Sequence, residues 1–387
     1  MEWPQRMKDN MKMGLKALEG IRVVDISRLY PGPLCSMILA DHGAEVIAIE
    51  ERRFEQDQLF LSSLYRNKKH ICLNLKKPKG KEAFFRLVKD ADVLIEGFRP
   101  GVASRLGVGY EDVRRITPSI IYCSITGYGQ TGPLSQKAGH DVNYLSIAGV
   151  LDLIGYRDRP PSIPGVQIAD ILGALYGTIG ILLALEARKK HGKGQYIDVS
   201  MSDCVLSMNI LPLLFERLKG ERPKRGEMLL SHRYACYNTY ETKDGRAISL
   251  GALEGRFWKE ICIHFGCEKF IPLQYNEEHR EEIIEHFKEI FRKKTLKEWK
   301  RELKDVDGCW SEVLTLHEAL EHPHFQERGM SILSPDEYGK KVPTLASPIK
   351  LSLTPATIRT PPVRFGENTI EVLEELGYSR EEIKDIT

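Results

Sequence analysis

A carboxylate opening an apolar helix can do chemistry, and this sequence has one in Asp170, within Gly165-Val166-Gln167-Ile168-Ala169-Asp170-Ile171-Leu172-Gly173. The stretch from Asp170 to Leu185 has helical character and is almost entirely apolar. Aspartate is a preferred N-cap, so one reading of Asp170 is a helix cap. The other is a reactive carboxylate at the positive end of a helix, where backbone N–H groups could also stabilise a developing oxyanion. Spacing alone leaves both open. Gly139-His140-Asp141, beside Asn143-Tyr144, is the second candidate. A lone histidine in such small, apolar surroundings is ordinarily a core or capping residue. It is also the side chain tuned for proton transfer near neutral pH.

The basic residues Arg52, Arg53, Arg66, Lys68, Lys69, Lys76, Arg99 and Arg105 fall at or just after predicted strand ends. Ligands of open α/β sheets bind outside the carboxyl ends of strands, and Arg or Lys there suits phosphate. A solvated charged rim is the alternative. Gly127-Tyr128-Gly129-Gln130-Thr131-Gly132 matches GxGxxG, but Pro133, Ser135 and Gln136 follow without an apolar helical face. A plain glycine-rich loop is therefore expected, not a dinucleotide fingerprint. His317, His322 and His324 lack HExxH spacing and Pro323 interrupts them, so exposed histidines and no metal are expected. The eight cysteines (Cys35, Cys72, Cys123, Cys204, Cys236, Cys262, Cys267 and Cys309) are irregularly spaced with no CxxC. Reduced, mostly buried thiols are expected.

The elements that must hold these residues alternate. Strands are predicted at Ile21–Ser27, Ala44–Glu50, His70–Leu75, Asp92–Phe98 and Ser119–Thr126. Between them lie a helix stopped by Gly43, an amphipathic helix over Lys79–Asp90, and another near Tyr110–Ile116. That alternation implies a parallel sheet with helices on both faces. Helices are then expected around Val142–Ile154 and Asp170–Arg188, a strand at QYIDVSM, and a long helix to Leu218. The polar run at residues 219–233 reads as a linker, and Lys243-Asp244-Gly245 as a hairpin turn. Two or three charged helices should span Gly255–Asp305, with short extended segments over Ser347–Pro361 and a helix near Thr369–Leu376. The expected organisation is a large α/β domain begun by residues 1–218, the linker, a smaller α+β domain at residues 234–328, and residues 329–387 returning to the large domain. With 387 residues there is chain for two cores, and a formal charge of +2 argues against nucleic-acid or membrane binding by bulk charge. No apolar run is read as reaching the roughly 20 residues of a membrane helix, and Met1–Gly20 has no signal-peptide core, so the expected address is the cytoplasm.

Several stretches together carry a resemblance: LEGIRVVDISRLYPGPLCSMILADHGAEVIAIE, NLKKPKGKEAFFRLVKDADVLIEGFRPGVASRLGVGYEDV, ITGYGQTGP, GHDVNYL, PGVQIAD and GKGQYIDVSMSD. As a set they resemble the family III CoA-transferases (CaiB/BaiF), and within them the α-methylacyl-CoA racemases. The match runs from about residue 17 to 210 and more thinly beyond. The resemblance implies a Rossmann-like large domain, a small domain, and an interlocked homodimer in which both chains shape each site. It places Asp170 on the family's catalytic aspartate. In the transferase branch that carboxylate forms an acyl anhydride and then an aspartyl-CoA thioester. In the racemase branch it pairs with a histidine, here His140, and the two flank the α-carbon of a 2-methylacyl-CoA. Glu254, in LGALEGRFW, matches a small-domain glutamate that holds the histidine of the partner chain.

For coenzyme A, the resemblance places Arg52 and Arg105 near the phosphates, with Leu73, Lys76, Gly97, Phe98, Asp141 and Tyr144 lining the binding region. No cofactor is implied beyond coenzyme A itself, carried as the thioester. Enolate chemistry asks for bases near the working pH and help for the oxyanion. Apolar surroundings would raise Asp170, and Glu254 would orient His140. The expected activity is racemisation or epimerisation of a 2-methylacyl-CoA. A CoA-transferase of carboxylic acids is the alternative, and a non-catalytic CoA-binding subunit a third. The segment between Glu50 and Arg66 lacks the Gly- and Pro-rich stretch of relatives, so its acyl-pocket contacts do not carry over. The acyl group itself is not legible.

Overall fold

The computed structural model describes residues 14–387. The reading of the first thirteen residues lies outside them. β1 (Arg22–Asp25), β2 (Glu45–Glu50), β3 (Lys68–Cys72), β4 (Val93–Glu96), β5 (Ile121–Thr126) and β6 (Gln195–Ser200) form one sheet in the order β3-β2-β1-β4-β5-β6. All its pairings are parallel. Every residue of β4 and β5 is buried, as suits strands covered on both faces. The order reverses between β1 and β4, and a crevice for ligand opens at such a switch point.

Helices cover both faces. On one side α1 (Pro31–Asp41) packs beside the long α5 (Ile168–His191). A Cβ at Gly177 would meet Ile125 Cδ1 at 2.7 Å and Cys35 Sγ at 3.4 Å, so glycine there lets α5 lie against β5 and α1. On the other side Phe84 and Val88 of α2 (Pro78–Lys89) and Val113 of α3 (Tyr110–Ile116) pack on Val24, Leu94 and Tyr122. The same core takes Val372 and Leu373 of α7 (Thr369–Glu375) and Ile383 and Ile386 of α8 (Arg380–Ile386), numbering α4 (Asp141–Ile147) and α6 (Met201–Leu206) between. The C-terminal segment also closes the open edge of β3. Asn368 exchanges hydrogen bonds with the His70 backbone at 3.0 Å, Thr369 Oγ1 accepts from Cys72 N–H, and the Gly366 N–H donates to His70 Nδ1 at 2.7 Å.

The described chain divides into two compact units. One comprises the chain up to Ala148, Gly165–Ser207 and Leu320–Thr387; the other Gly149–Pro164 and Met208–Ala319. The expected linker at 219–233 lies inside the second unit, which also takes residues 149–164 and 208–218. In it, strands Tyr237–Glu241, Ala247–Gly251 and Trp310–Glu312 form an antiparallel sheet. The turn of the first pair is closed by the Gly245 N–H donating to Thr242 O, with Gly245 at φ +70°. Trp258, Phe287 and Phe291 fill its core from helices Gly255–His264 and Arg280–Phe291.

Four expectations change. The helix over 142–154 stops at Ile147, and Gly149 at φ +75° turns the chain away. The long helix to Leu218 is broken into α6, a 3-10 turn and Ile210–Lys219, because Pro212 has no N–H to continue the ladder. An antiparallel pair, Ser331–Pro335 with Lys341–Leu345, stands where no strand was expected. α5 has 24 residues and a mean hydropathy of 2.0 over its best window, long and apolar enough by length and composition to cross a membrane. Its apolar character serves the core on one side, but 44% of that window is buried and the rest is not.

Candidate functional site

The turn after β1 is held by buried charge. Asp25 accepts from the Ser27 N–H at 2.9 Å and from the hydroxyls of Ser27 and Ser36. Lys68 Nζ donates to Pro33 O at 2.7 Å and Ser36 Oγ at 2.6 Å, and burial pushes its ammonium down to about 8. Arg66 grips Asp41 through two bonds, at 2.6 and 3.1 Å. Both cations are internal struts, Lys68 4% and Arg66 5% exposed, so neither meets a ligand phosphate. Lys69 also drops out, paired with Glu371 at 2.8 Å. Within the braced turn Leu29 holds φ +68°. A bulky residue there stores on the order of 1–2 kcal/mol, a cost that persists where surrounding structure over-determines it, commonly at functional sites.

At the switch point lies a cavity of about 230 Å³ lined by Ile26 and Arg28 after β1, Glu51, Arg53 and Phe54 after β2, Leu73 and Lys76 after β3, and Phe98 after β4. Arg28 stacks on the Phe54 ring at 3.3 Å and pairs with Glu50 at 2.8 Å and Asp57 at 3.2 Å. The floor is apolar and the mouth carries cations, which suits a flat heteroaromatic ring joined to phosphates. Three expected contacts, Leu73, Lys76 and Phe98, line it. Arg52 and Arg105 stand exposed on the short elements that frame it, and Gly97 is exposed beside Phe98. Arg28 and Phe54 were missed. The strand-end rule, applied to the first strand, would have found Arg28.

The second centre is Asp170. It is the third residue of α5 and its carboxylate makes no capping bond. The cap comes from Asp141, whose Oδ2 accepts the N–H groups of Ala169 at 2.6 Å and Asp170 at 3.1 Å. The Ile168 and Ile171 N–H groups go to Val166 O and Gln167 O. The first amides of α5 are therefore taken, which corrects the idea that they could serve an oxyanion. Burial, then the Asp141 charge, push the Asp170 carboxyl up to about 6, while His140 pulls the other way. Asp170 thus senses both members of the His140-Asp141 pair. His140 is exposed at the start of α4, with its N–H bonded to Asn143 Oδ1 at 3.0 Å.

Tyr144 is buried, and its hydroxyl donates to Gly139 O at 2.6 Å, just before His140. A Cβ at Gly127 would strike the Tyr144 ring at 2.5 Å, so the glycine-rich loop gives this ring room. No helix opens at that loop, as expected of a plain loop. Asp141 and Tyr144 were expected at the ligand. The structure uses Asp141 to cap the helix that carries Asp170 and Tyr144 to hold the chain just before His140. Tyr30, at the start of α1, and Tyr144 both feel the Asp170 charge, and Tyr144 also feels Arg99. Arg99 and Asp170 therefore act on one phenol, and Arg99 directly follows Phe98 of the cavity wall.

Glu254 belongs to the second unit. It caps helix Gly255–His264 by position, is exposed, and makes no side-chain capping bond. Among the described residues no group of three or more His, Cys, Asp or Glu is placed to hold a metal ion. His322 Nδ1 accepts the His324 N–H at 3.2 Å. Seven cysteines are buried; Cys309 is exposed.

The model of CoA-transferase family III matches residues 18–369. The α-methylacyl-CoA racemase of Homo sapiens is 37% identical over 371 residues, 95% of each chain. The succinyl-CoA:glutarate CoA-transferase of Homo sapiens is 28% identical and covers 97% of this chain and 89% of its own. A crystal structure of a CAIB/BAIF family protein from Brucella suis superposes with a TM-score of 0.81 at 28% identity, over 93% of this chain and 99% of that one.

Proposed function

The chain belongs to CoA-transferase family III, and from that premise we propose that it racemises or epimerises a 2-methylacyl-CoA thioester, with His140 and Asp170 as the two bases. One observation carries the reading. The carboxyl of Asp170 sits near 6, raised by burial and by Asp141, with a histidine in its electrostatic reach. A base that is ionised at neutral pH but only about one unit below it is well matched to taking and returning a proton. One group takes the α-proton to give the enolate, and the other returns a proton to the opposite face. The second reading, CoA transfer through an acyl-Asp170 anhydride, is favoured by the relatives named as CoA-transferases. It needs Asp170 but no histidine.

Coenzyme A is assigned to the switch-point cavity. Leu73, Phe54 and Phe98 would hold its base, and Lys76 of the lining, with Arg52 and Arg105 on the short elements that frame it, would meet its phosphates. The deciding experiment is incubation with (S)-2-methyldecanoyl-CoA in deuterated water. Deuterium at the α-carbon with inversion is expected. No exchange, together with CoA transfer to added acid and a hydroxylamine-trappable acyl group on Asp170, would replace this reading with the transferase.

The enzyme is proposed to be a homodimer. Leu175, Tyr176, Ile179, Leu182 and Leu183 of α5 are all exposed at helical spacing, the mark of a face that packs on a partner. Sedimentation equilibrium should give twice the chain mass; a monomer at micromolar concentration would remove the proposal.

A further inference from the structure

Glu96 is a buried carboxylate that the proposed chemistry does not use. It ends β4, at 3% exposure, two residues before Phe98. One oxygen accepts the Phe98 N–H at 2.6 Å. The other accepts the Ser124 hydroxyl on β5, and Ser124 Oγ accepts from Tyr196 Oη on β6 at 2.8 Å. Tyr196 is 36% exposed, so the chain of hydroxyls runs from a buried carboxylate to solvent. The wall that Glu96 holds lies beside the ends of β1 and β5: a Cβ at Gly97 would make ordinary contact with Ile125 O at 3.4 Å and Ser27 Cβ at 3.6 Å.

The donors and acceptors allow two states. With Glu96 ionised, both oxygens accept, and the Phe98 bond is charge-assisted, which roughly doubles its strength. With Glu96 protonated, the oxygen facing Phe98 must still accept, because an amide only donates. The new proton must then point at Ser124, Ser124 must turn to donate to Tyr196, and Tyr196 must donate outward. The polarity of the whole chain reverses and the Phe98 bond weakens.

We propose that Glu96 is a positioning residue for the Gly97–Phe98 wall of the coenzyme-A cavity, and that reversal of its chain to Ser124 and Tyr196 makes coenzyme-A affinity rise with pH across neutrality. The proposal rests on the assignment of coenzyme A to that cavity. The ionisable groups around Glu96 are Tyr122 and Cys123 on β5 and Tyr196 and Asp198 on β6. Burial, reinforced by Asp198, holds the carboxyl up at about 7, against the lowering by Ser124 and Phe98. The ionised, tighter wall therefore predominates above neutrality and the looser one below.

The test is calorimetric titration of the full-length enzyme with coenzyme A from pH 6 to 8.5, for wild type and Glu96→Gln. Glutamine cannot ionise, and its amide donates to Ser124 while its carbonyl accepts from Phe98, which copies the protonated state. Phosphate monoesters titrate near pH 6 themselves, so the readout is the difference between the two proteins. Wild type should gain about 3- to 10-fold more affinity over this range than the variant, which should keep only the pH dependence that coenzyme A itself brings. The exchange rate at saturating substrate should agree within about twofold. Parallel profiles would overturn the proposal. Tyr196→Phe leaves Glu96 in place but removes the partner of Ser124 in both polarities of the chain, so the wild-type transition should shift in pH; an unmoved transition would also overturn it. Failure of coenzyme A to bind either protein would sink the cavity assignment itself, whereas binding without a pH difference sinks Glu96 alone.

Discussion

Asp170→Asn should lower turnover by about a thousandfold or more, because amide nitrogen and oxygen are neither base nor nucleophile at neutral pH. The variant should fold, since the α5 cap comes from Asp141 and not from Asp170. Retention of more than a few per cent of wild-type rate would remove Asp170 from the chemistry in either reading. The pH profile follows from the same carboxyl. Its ordinary range lies near 4, and burial and the Asp141 charge lift it to about 6. Only the ionised form is competent, so kcat/KM should fall as pH drops through about 6. Asp141→Asn keeps an oxygen for the helix N–H groups but removes the charge. The acid limb should then move to lower pH, and a limb that stays would mean that Asp141 does not tune Asp170.

His140→Ala separates the two chemistries that Asp170 can serve. In the two-base scheme, each base exchanges the α-proton of one face. Without His140, deuterium washout from the face it serves should fall by about 10²–10⁴-fold, the usual worth of a positioned acid or base. Exchange on the Asp170 face should survive, and racemisation should stop. Unchanged CoA transfer between acids, with no exchange in wild type, is the outcome that would instead place His140 outside the reaction. Tyr144 and Asn143 hold the Gly139–His140 peptide through its C=O and N–H, so loss of the His140 ring leaves the Asp170 centre in place.

Much of this was legible in the residues. The alternation of β-branched runs with amphipathic helices placed five strands of the parallel sheet, with β3 starting two residues earlier than its apolar run suggested. Lys68 and Lys69 read as polar and outside a strand. Lys68 is inside it because its ammonium finds Pro33 and Ser36, a compensation visible only in three dimensions. Arg66 failed as a phosphate ligand for the same reason: Asp41, 25 positions earlier, claims it. The GHD motif marked the segment that meets the start of α5 but not how its residues divide the contacts. That Asp141 caps α5 and Tyr144 ties down Gly139 depends on contacts between segments that sequence spacing does not encode. Arg28 was hidden by the apolar residues around it, and Glu96 by its place in a strand. Its burial and its bond to Phe98 are what single it out.

The closure of β3 by α7 and α8 sets a timetable for synthesis. β6 ends at Ser200, yet Val372, Leu373, Ile383 and Ile386 complete the core beneath Phe84 and Leu94. About 170 residues must emerge between the last sheet strand and the helices that seal it, which at about 5–20 residues per second takes on the order of ten to thirty-five seconds. Throughout that interval the nascent sheet has its backbone donors at His70 and Cys72 unclaimed and its apolar floor uncovered. For this chain, the period of greatest exposure to aggregation and of greatest need for chaperones falls while the second unit is being translated.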